Sequence, residues 1–325
     1  MSSMQHTSLL ARFSRRKLTL LVAISGLVLF LGGYLLQGQS VRAELARLQG
    51  QTGLSLITVE NRSILVVDFS RRSVVKVRNL TGGIGAISPD GTMIAFVADS
   101  PAMSDNLAVS GIEGSDFRVY RNVRMPANNC ICWSPDNSKM VIGSMNIGFQ
   151  GETLRLLEVS SGAVAEIAKG GRVTSQCWSP DSKHFVYEDD GQLRVYDTEE
   201  NRSQNLKTKG DQATWSPNGK RIAFLDSDTY YAMDPTGIGG RQALFKKWQA
   251  QSGLWWSPDS RFVAYVSQAG WLEGGLLVPD SEVYWLRVRR LQDNSETKVA
   301  GATAQNYEWV TKEDLLRNAP LNLQH

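Results

Sequence analysis

From about residue 53 the chain alternates short β-branched or aromatic runs with clusters of Gly, Pro, Asn, Asp and Ser. Runs at 93–97, 139–143, 184–187, 221–225 and 261–266 are too short for helices and are bounded by turn residues, so they predict strands. Each follows a near-copy of one phrase: Ala86-Ile87-Ser88-Pro89-Asp90-Gly91, Cys132-Trp133-Ser134-Pro135-Asp136-Asn137, Cys177-Trp178-Ser179-Pro180-Asp181-Ser182, Thr214-Trp215-Ser216-Pro217-Asn218-Gly219 and Trp255-Trp256-Ser257-Pro258-Asp259-Ser260. The serines lie 46, 45, 37 and 41 residues apart. The phrase has the chemistry of a tight turn: Pro presets φ, Asp or Asn follows, and Gly, Asn or Ser closes it. A third run comes next, as at 192–197 or 283–288, and a fourth closes the unit, as at 163–167 or 242–245. Four antiparallel strands recurring at a period of roughly forty residues predict propeller blades.

Three further runs, 54–59, 63–69 and 73–78, precede the first phrase and match the second, third and fourth strands of a blade lacking its first. Residues 306–310 place Trp309 where the repeat expects a tryptophan, so this segment is expected to supply the missing strand. The expectation is an all-β, six-bladed propeller of four-stranded antiparallel blades over residues 53–312, closed by a composite blade. Such closure removes exposed sheet edges. Trp133, Trp178, Trp215, Trp256 and Trp309 are expected to pack between blades. Residues 313–325 form a C-terminal tail.

The phrase Trp-Ser-Pro-Asp-Gly followed by a β run resembles the WD-like repeat of the TolB-type β-propeller family, over roughly residues 53 to 312. The first copy departs from the pattern with Ile87 in place of Trp, and the segment around Trp309 lacks Ser-Pro-Asp. The resemblance implies partners among envelope proteins, peptidoglycan-linked or membrane-embedded. The same repeat serves export-machinery subunits, regulatory domains of serine peptidases and some sugar-active enzymes, so the fold does not fix the function.

Residues 18–36 carry no charge, and nineteen residues of helix span about 28 Å, close to the hydrocarbon core of a bilayer. Residues 1–17 contain Arg12, Arg15, Arg16 and Lys17 and no acid, so they are expected in the cytoplasm, with the propeller on the other side of the membrane. The apolar run is long for a secretory signal and reads as an uncleaved anchor; Val41-Arg42-Ala43 offers the alternative of cleavage and a periplasmic or secreted product. Ser14-Arg15-Arg16-Lys17-Leu18 fits either a twin-arginine export motif or an ordinary cationic flank. Within the linker 37–52, Val41, Leu45 and Leu48 fall at helical spacing before Gly50, predicting a short amphipathic helix that either lies on the membrane surface or acts as a spacer.

Removing the four N-terminal cations leaves 31 basic against 32 acidic residues, which is no footprint for nucleic acid. Cys130, Cys132 and Cys177 form no even set. Cys132 and Cys177 sit at equivalent positions of adjacent repeats and read either as a redox pair or soft-metal site or, since equivalent positions on neighbouring blades are expected to lie beyond disulfide reach, as small buried residues. With His6, His184 and His325 the only histidines, neither a histidine-rich metal site nor a Ser-His-Asp hydrolase has candidates, and no Gly-x-Ser-x-Gly elbow is present. No cofactor, metal or catalytic residue is therefore assigned. Glu188-Asp189-Asp190 and the pair Asp226 and Asp228 leave open a carboxylate-based enzyme acting on carbohydrate or peptide, and a small-molecule sensor is a third class.

Candidate binding residues precede each conserved tryptophan, where innermost strands begin near one channel mouth: Asn128 and Asn129; Thr174, Ser175 and Gln176; Asp211 and Gln212; Gln251 and Ser252; Gln305 and Asn306. This polar, mostly uncharged set suits hydrogen bonding to a peptide or glycan, or equally the solvation of loops. The insertion 267–282, with Trp271, Leu272, Leu276, Leu277 and Val278, is a second candidate surface for a protein partner, with Lys246-Lys247-Trp248 a smaller one.

Overall fold

The computed structural model describes residues 39–51, 55–60, 63–69, 73–79, 85–98, 106–111, 115–124, 130–145, 152–246, 250–268, 284–301 and 308–310. It is an all-β propeller. The first sheet joins both ends of the chain: Glu308–Val310 pairs antiparallel with Ser55–Glu60, in register Leu56 opposite Trp309, and Ser63–Asp68 and Ser73–Asn79 follow outward. The second sheet runs from Gly85–Ile87 to Arg118–Arg124 and the third from Ile131–Trp133 to Val164–Lys169. The fourth comprises His184–Asp189, Gln192–Asp197 and Arg202–Lys209; the fifth runs from Asp211–Trp215 to Arg241–Lys246 and the sixth from Ala250–Trp256 to Glu296–Gly301.

Five sheets are complete four-stranded blades, not the six expected, because the fourth sheet has three strands. Its missing innermost strand corresponds to residues 171–178, which form only the isolated bridges Arg172 to Glu188 and Trp178 to Phe185. Between those bridges the chain leaves the sheet for partners elsewhere in the ring.

The repeated phrase forms the same hydrogen-bonded turn five times. The serine carbonyl accepts the amide three residues on, at 2.8–3.1 Å, and that residue (Gly91, Asn137, Ser182, Gly219 or Ser260) has φ between 57° and 73°. Glycine is favoured there for its freedom in the left-handed region. Ser182 and Ser260 are instead held by acceptance: their hydroxyls take the amides of Asp136 and Asn218 from the preceding repeats, each at 3.1 Å. The phrase serine accepts the amide five residues on, at or just before the start of the next strand, at 2.9–3.0 Å, and donates to the Asp or Asn two residues on. That Asp or Asn accepts a second amide at 3.0–3.1 Å, so the turn's polar groups are satisfied locally.

Tryptophans tie neighbouring sheets. The indole N–H of Trp133 donates to the Ala86 carbonyl at 3.1 Å, that of Trp178 to the Cys132 carbonyl at 3.0 Å, and that of Trp256 to Thr214 Oγ1 at 3.0 Å. Each acceptor immediately precedes the equivalent position of the previous repeat. Trp215 is the exception, donating to Gly219 of its own turn, and it follows the sheet whose innermost strand is absent.

Residues 39–51 form a helix whose apolar stripe is buried against the propeller rather than offered to a membrane surface. Val41 and Leu45 are fully buried among Val67 and Phe69 of the first sheet and Trp255, Phe262, Leu286 and Val288 of the sixth, with Leu48 packed alongside. Gln49 Nε2 donates to the Val67 carbonyl at 2.8 Å and its Oε1 accepts the Phe69 amide at 3.1 Å, so one amide group caps a strand end. Glu44 accepts from Arg290 Nη1 at 2.7 Å and pairs with Arg261. The helix thus bridges the seam where the chain's two ends meet. Among the described residues no helix is long and apolar enough to cross a membrane; residues 18–36 lie outside them, as do 1–17 and 313–325.

Deleting most of a buried leucine costs about 2–5 kcal/mol. Leu45→Ala is therefore expected to lower the unfolding free energy by roughly that amount in a urea titration, whereas Arg47→Ala on the exposed face of the same helix stays within about 0.5 kcal/mol.

Candidate functional site

The conserved turns surround a cavity of about 270 Å³ at one end of the channel. Pro89, Pro135, Pro180 and Pro217, one from each of four consecutive repeats, form its rim, and Trp133, Trp178 and Trp215 form its wall with Ile87 and Ser88. Ser175 and Gln176 complete the lining. The prolines follow the innermost strands, and Ser175 and Gln176, members of the predicted polar set, reach the same cavity. The sequence held a signal for this mouth, since a proline two residues after the tryptophan position recurs in all five copies of the phrase. The polar residues before the tryptophan were more conspicuous as ligand chemistry.

Thr174, Ser175 and Gln176 explain the incomplete fourth sheet. Thr174 Oγ1 donates to the Ala213 carbonyl at 2.7 Å in the fifth sheet. Ser175 Oγ accepts the Trp255 indole N–H at 3.2 Å. Gln176 Nε2 donates to the Trp256 carbonyl at 3.1 Å, its Oε1 accepts the Trp256 amide at 2.6 Å, and its own carbonyl accepts the Trp215 amide at 2.8 Å. A single glutamine amide thus pairs with another strand's backbone as a strand residue would. These side chains reach sheets five and six, and their polar atoms are engaged within the protein.

The remaining predicted residues divide three ways. In the fifth sheet Gln212 adopts φ 53° beside a bulge, its amide donates to Asp211 Oδ1 at 2.6 Å, and its Oε1 accepts from buried Tyr230 at 3.2 Å. Burial, with the nearby Asp211 charge, pushes the Tyr230 hydroxyl well above its ordinary value, so it stays a neutral donor. Gln251 and Ser252 belong to strand Ala250–Trp256, where only their backbone is described. Asn128, Asn129, Gln305, Asn306, Trp271, Leu272, Leu276 and Leu277 lie outside the described residues, with Lys247 and Trp248. Trp309 is placed by strand pairing alone.

Four of the five candidate carboxylates, Glu188, Asp189, Asp226 and Asp228, are held by cations. Glu188 is 4% exposed, pairs with Arg172 Nε at 2.8 Å and accepts the Gly191 amide at 2.5 Å. Asp189 meets Arg194 at 2.9 Å and Asp228 meets Lys246 at 3.1 Å; Asp226 is bound by Arg241. The hydrogen bond from Arg241 holds Asp226 below the usual carboxylate range, and those from Thr229 and then Lys246 do the same for Asp228. A general acid needs the opposite shift. Among the described residues no group of three His, Cys, Asp or Glu could hold a metal ion. Cys132 and Cys177, expected beyond reach of each other, form a disulfide with Cα atoms 6.2 Å apart, because residues 171–178 are not constrained to a regular strand.

Taken together, the turns, the indole ties and the antiparallel sheets define a β-propeller assembled from WD-type repeats. The family model described as WD domain, G-beta repeat, matches residues 165–197. Among solved structures the chain is similar to TolB from Acinetobacter baumannii, at 16% identity and a TM-score of 0.58, covering 79% of this chain and 66% of that one. It is similar also to a protein assigned as TolB in Agrobacterium tumefaciens (16%, TM-score 0.51, 76% and 88%) and to oligogalacturonate lyase from Vibrio parahaemolyticus (12%, TM-score 0.50, 74% and 72%). The chain thus spans just under two thirds of the length of the Acinetobacter TolB. No curated protein sequence matches it. The chain has the β-propeller fold of these TolB structures.

The turn carboxylates give a pH prediction. Partial burial alone would raise Asp90, Asp136 and Asp181, but hydrogen bonds from Ser88, Ser134 and Ser179 and from following amides outweigh it and hold all three below the ordinary value of 3.8. A depressed folded pKa means the unfolded chain binds more protons in acid. The stabilisation is therefore present above the unfolded value and lost as pH falls through the folded ones. The urea midpoint is expected to hold from pH 7 to 5 and to fall below about pH 4. Asp136→Asn, which copies the natural Asn218, should flatten that acid limb.

Proposed function

We propose that the protein is a membrane-tethered, extracytoplasmic propeller that binds an envelope or membrane protein without catalysing a reaction. The observation that carries this reading is the cavity rimmed by Pro89, Pro135, Pro180 and Pro217, whose apolar, tryptophan-walled lining offers shape and hydrophobic contact rather than titratable groups. The likeness in fold to TolB structures supports it. The ion-paired state of Glu188, Asp189, Asp226 and Asp228 weighs against a carboxylate pair acting on glycans or peptides. We read the ring as six blades, the fourth reduced to three strands, closed by the composite first sheet.

Residues 18–36 act in this reading as an anchor that is kept. Cleavage after Ala43 would divide the helix 39–51 and remove buried Val41 from the core it shares with Leu45. A disulfide between Cys132 and Cys177 fits an oxidising compartment outside the cytoplasm. The predicted mouth residues Asn128, Asn129, Gln251, Ser252, Gln305 and Asn306, and the insertion with Trp271, Leu272, Leu276 and Leu277, stand as secondary contact surfaces.

Pro135→Arg and Pro217→Arg would crowd the rim from turn positions whose φ arginine also adopts. A photo-crosslinking residue at position 89 in the full-length, membrane-embedded protein is expected to trap one discrete envelope protein. Either arginine variant should reduce that product at least ten-fold while leaving the thermal midpoint within about 2 °C of the parent. An undiminished product would remove the mouth as the binding site. Turnover of pectic or other oligosaccharides by the purified chain would replace the binding reading with the enzymatic one.

A further inference from the structure

Three consecutive residues, Thr174, Ser175 and Gln176, leave the fourth sheet and hydrogen-bond to the fifth and sixth. The next residue, Cys177, is bonded to Cys132 in the middle of the third sheet's innermost strand. The segment is thus fastened on both sides of the channel, by hydrogen bonds on one side and a covalent bond on the other. Both cysteines are essentially inaccessible, at 1% and 0% exposure. The contacts around the sulfurs are complementary as well: the Cys177 amide donates to Cys132 Sγ at 2.9 Å, and that sulfur lies 3.2 Å from the Ser175 carbonyl. As a thiol, Cys132 would donate to Ser175, so a reduced pair holds the same segment more weakly.

We propose that the Cys132–Cys177 disulfide is a latch that keeps residues 174–176 as a plug across the channel, so that the propeller presents a closed floor beneath the proline-rimmed cavity. The bond forms by exchange. The thiolate of one cysteine attacks the disulfide of an extracytoplasmic thiol oxidoreductase, giving a mixed disulfide, and the second cysteine displaces it. Two thiols lose two protons and two electrons, and the oxidoreductase leaves as a dithiol. Burial of both sulfurs requires this before the ring closes, and afterwards excludes attacking thiolates, so the latch is set during folding and stays set. Its purpose follows from the fourth sheet: between the bridges at Arg172 and Trp178, the chain that would have been an innermost strand has no regular ladder to hold it. Cys130 stands outside the pair.

The test uses the full-length chain, exported and purified with an alkylating agent present. Mass spectrometry of the denatured protein is expected to show one alkylated thiol before reduction and three after it. Hydrogen exchange then reads the plug through the Trp215 and Trp256 amides, both of which donate to Gln176. Cys132→Ala should raise exchange at these two amides at least ten-fold. Cys132→Ser, which keeps a hydroxyl towards Ser175, should raise it less and also guards against failure of the alanine variant to fold. Gln176→Ala should raise the same two amides while leaving the thiol count at one. The Met93 amide, held by Ser88 in the second sheet, should not change in any variant. Three alkylated thiols before reduction would overturn the latch, as would unchanged exchange at Trp215 and Trp256 in both Cys132 variants.

Discussion

The ring depends on one small arrangement, the serine hydroxyl that sits between a turn and the strand after it. It donates to the turn's Asp or Asn and accepts the first amide of the next strand, and so fixes the angle between innermost and second strands in each repeat. An innermost strand of three residues, such as Ile131–Trp133, has few ladder bonds of its own. The turn supplies the rest, and the tryptophan beside it carries the constraint to the neighbouring sheet through a buried N–H donor. An unpaired indole N–H at that depth would cost about 1–3 kcal/mol. Position, turn and inter-sheet tie are therefore selected together, which is why they recur as one phrase.

A closed ring has one weak place, where the chain begins and ends. Here strand Glu308–Val310 completes the first sheet, and the helix 39–51 lies across the adjoining seam. Its fully buried Val41 and Leu45 contribute on the order of 1.5–3 kcal/mol each by burial. Glu44 adds direction, since it meets Arg290 on the third strand of the sixth sheet and Arg261 in the turn just before the second. A helix so placed is part of the propeller.

Much of the fold was legible because it is repetitive. Five copies of a turn phrase announced blades, and the truncated start with the displaced Trp309 announced the composite sheet. What stayed hidden was decided by partners distant in sequence. The spacing of Val41, Leu45 and Leu48 gives a helix with an apolar stripe but not the surface that buries it, and Glu44 finds Arg261 and Arg290 217 and 246 residues away. Thr174, Ser175 and Gln176 looked like mouth residues because polarity before a tryptophan recurs in five of the six units. Their partners Ala213, Trp255 and Trp256 lie 39 and 80 residues on. The one local signal was that cysteine precedes tryptophan in two successive repeats, and it was discounted on the geometry of a regular blade, which the fourth sheet does not have.

The departure of residues 171–178 from the regular pattern gives this propeller a direction. A regular ring is nearly symmetric about its axis, and its channel opens alike into both mouths. Here the segment that ought to line the channel crosses it, tied to sheets three, five and six, while the four proline-bearing turns keep their places around the cavity beyond. Ser175 and Gln176 then serve both as the plug and as the floor of the cavity. A side chain entering past Pro135 or Pro217 meets hydrogen bonds already made, so it gains contact area without having to desolvate unpaired polar groups. A preformed, closed-bottomed apolar recess suits a protruding side chain better than a threaded segment. In this chain that shape comes from the departure of residues 171–178 from a regular strand.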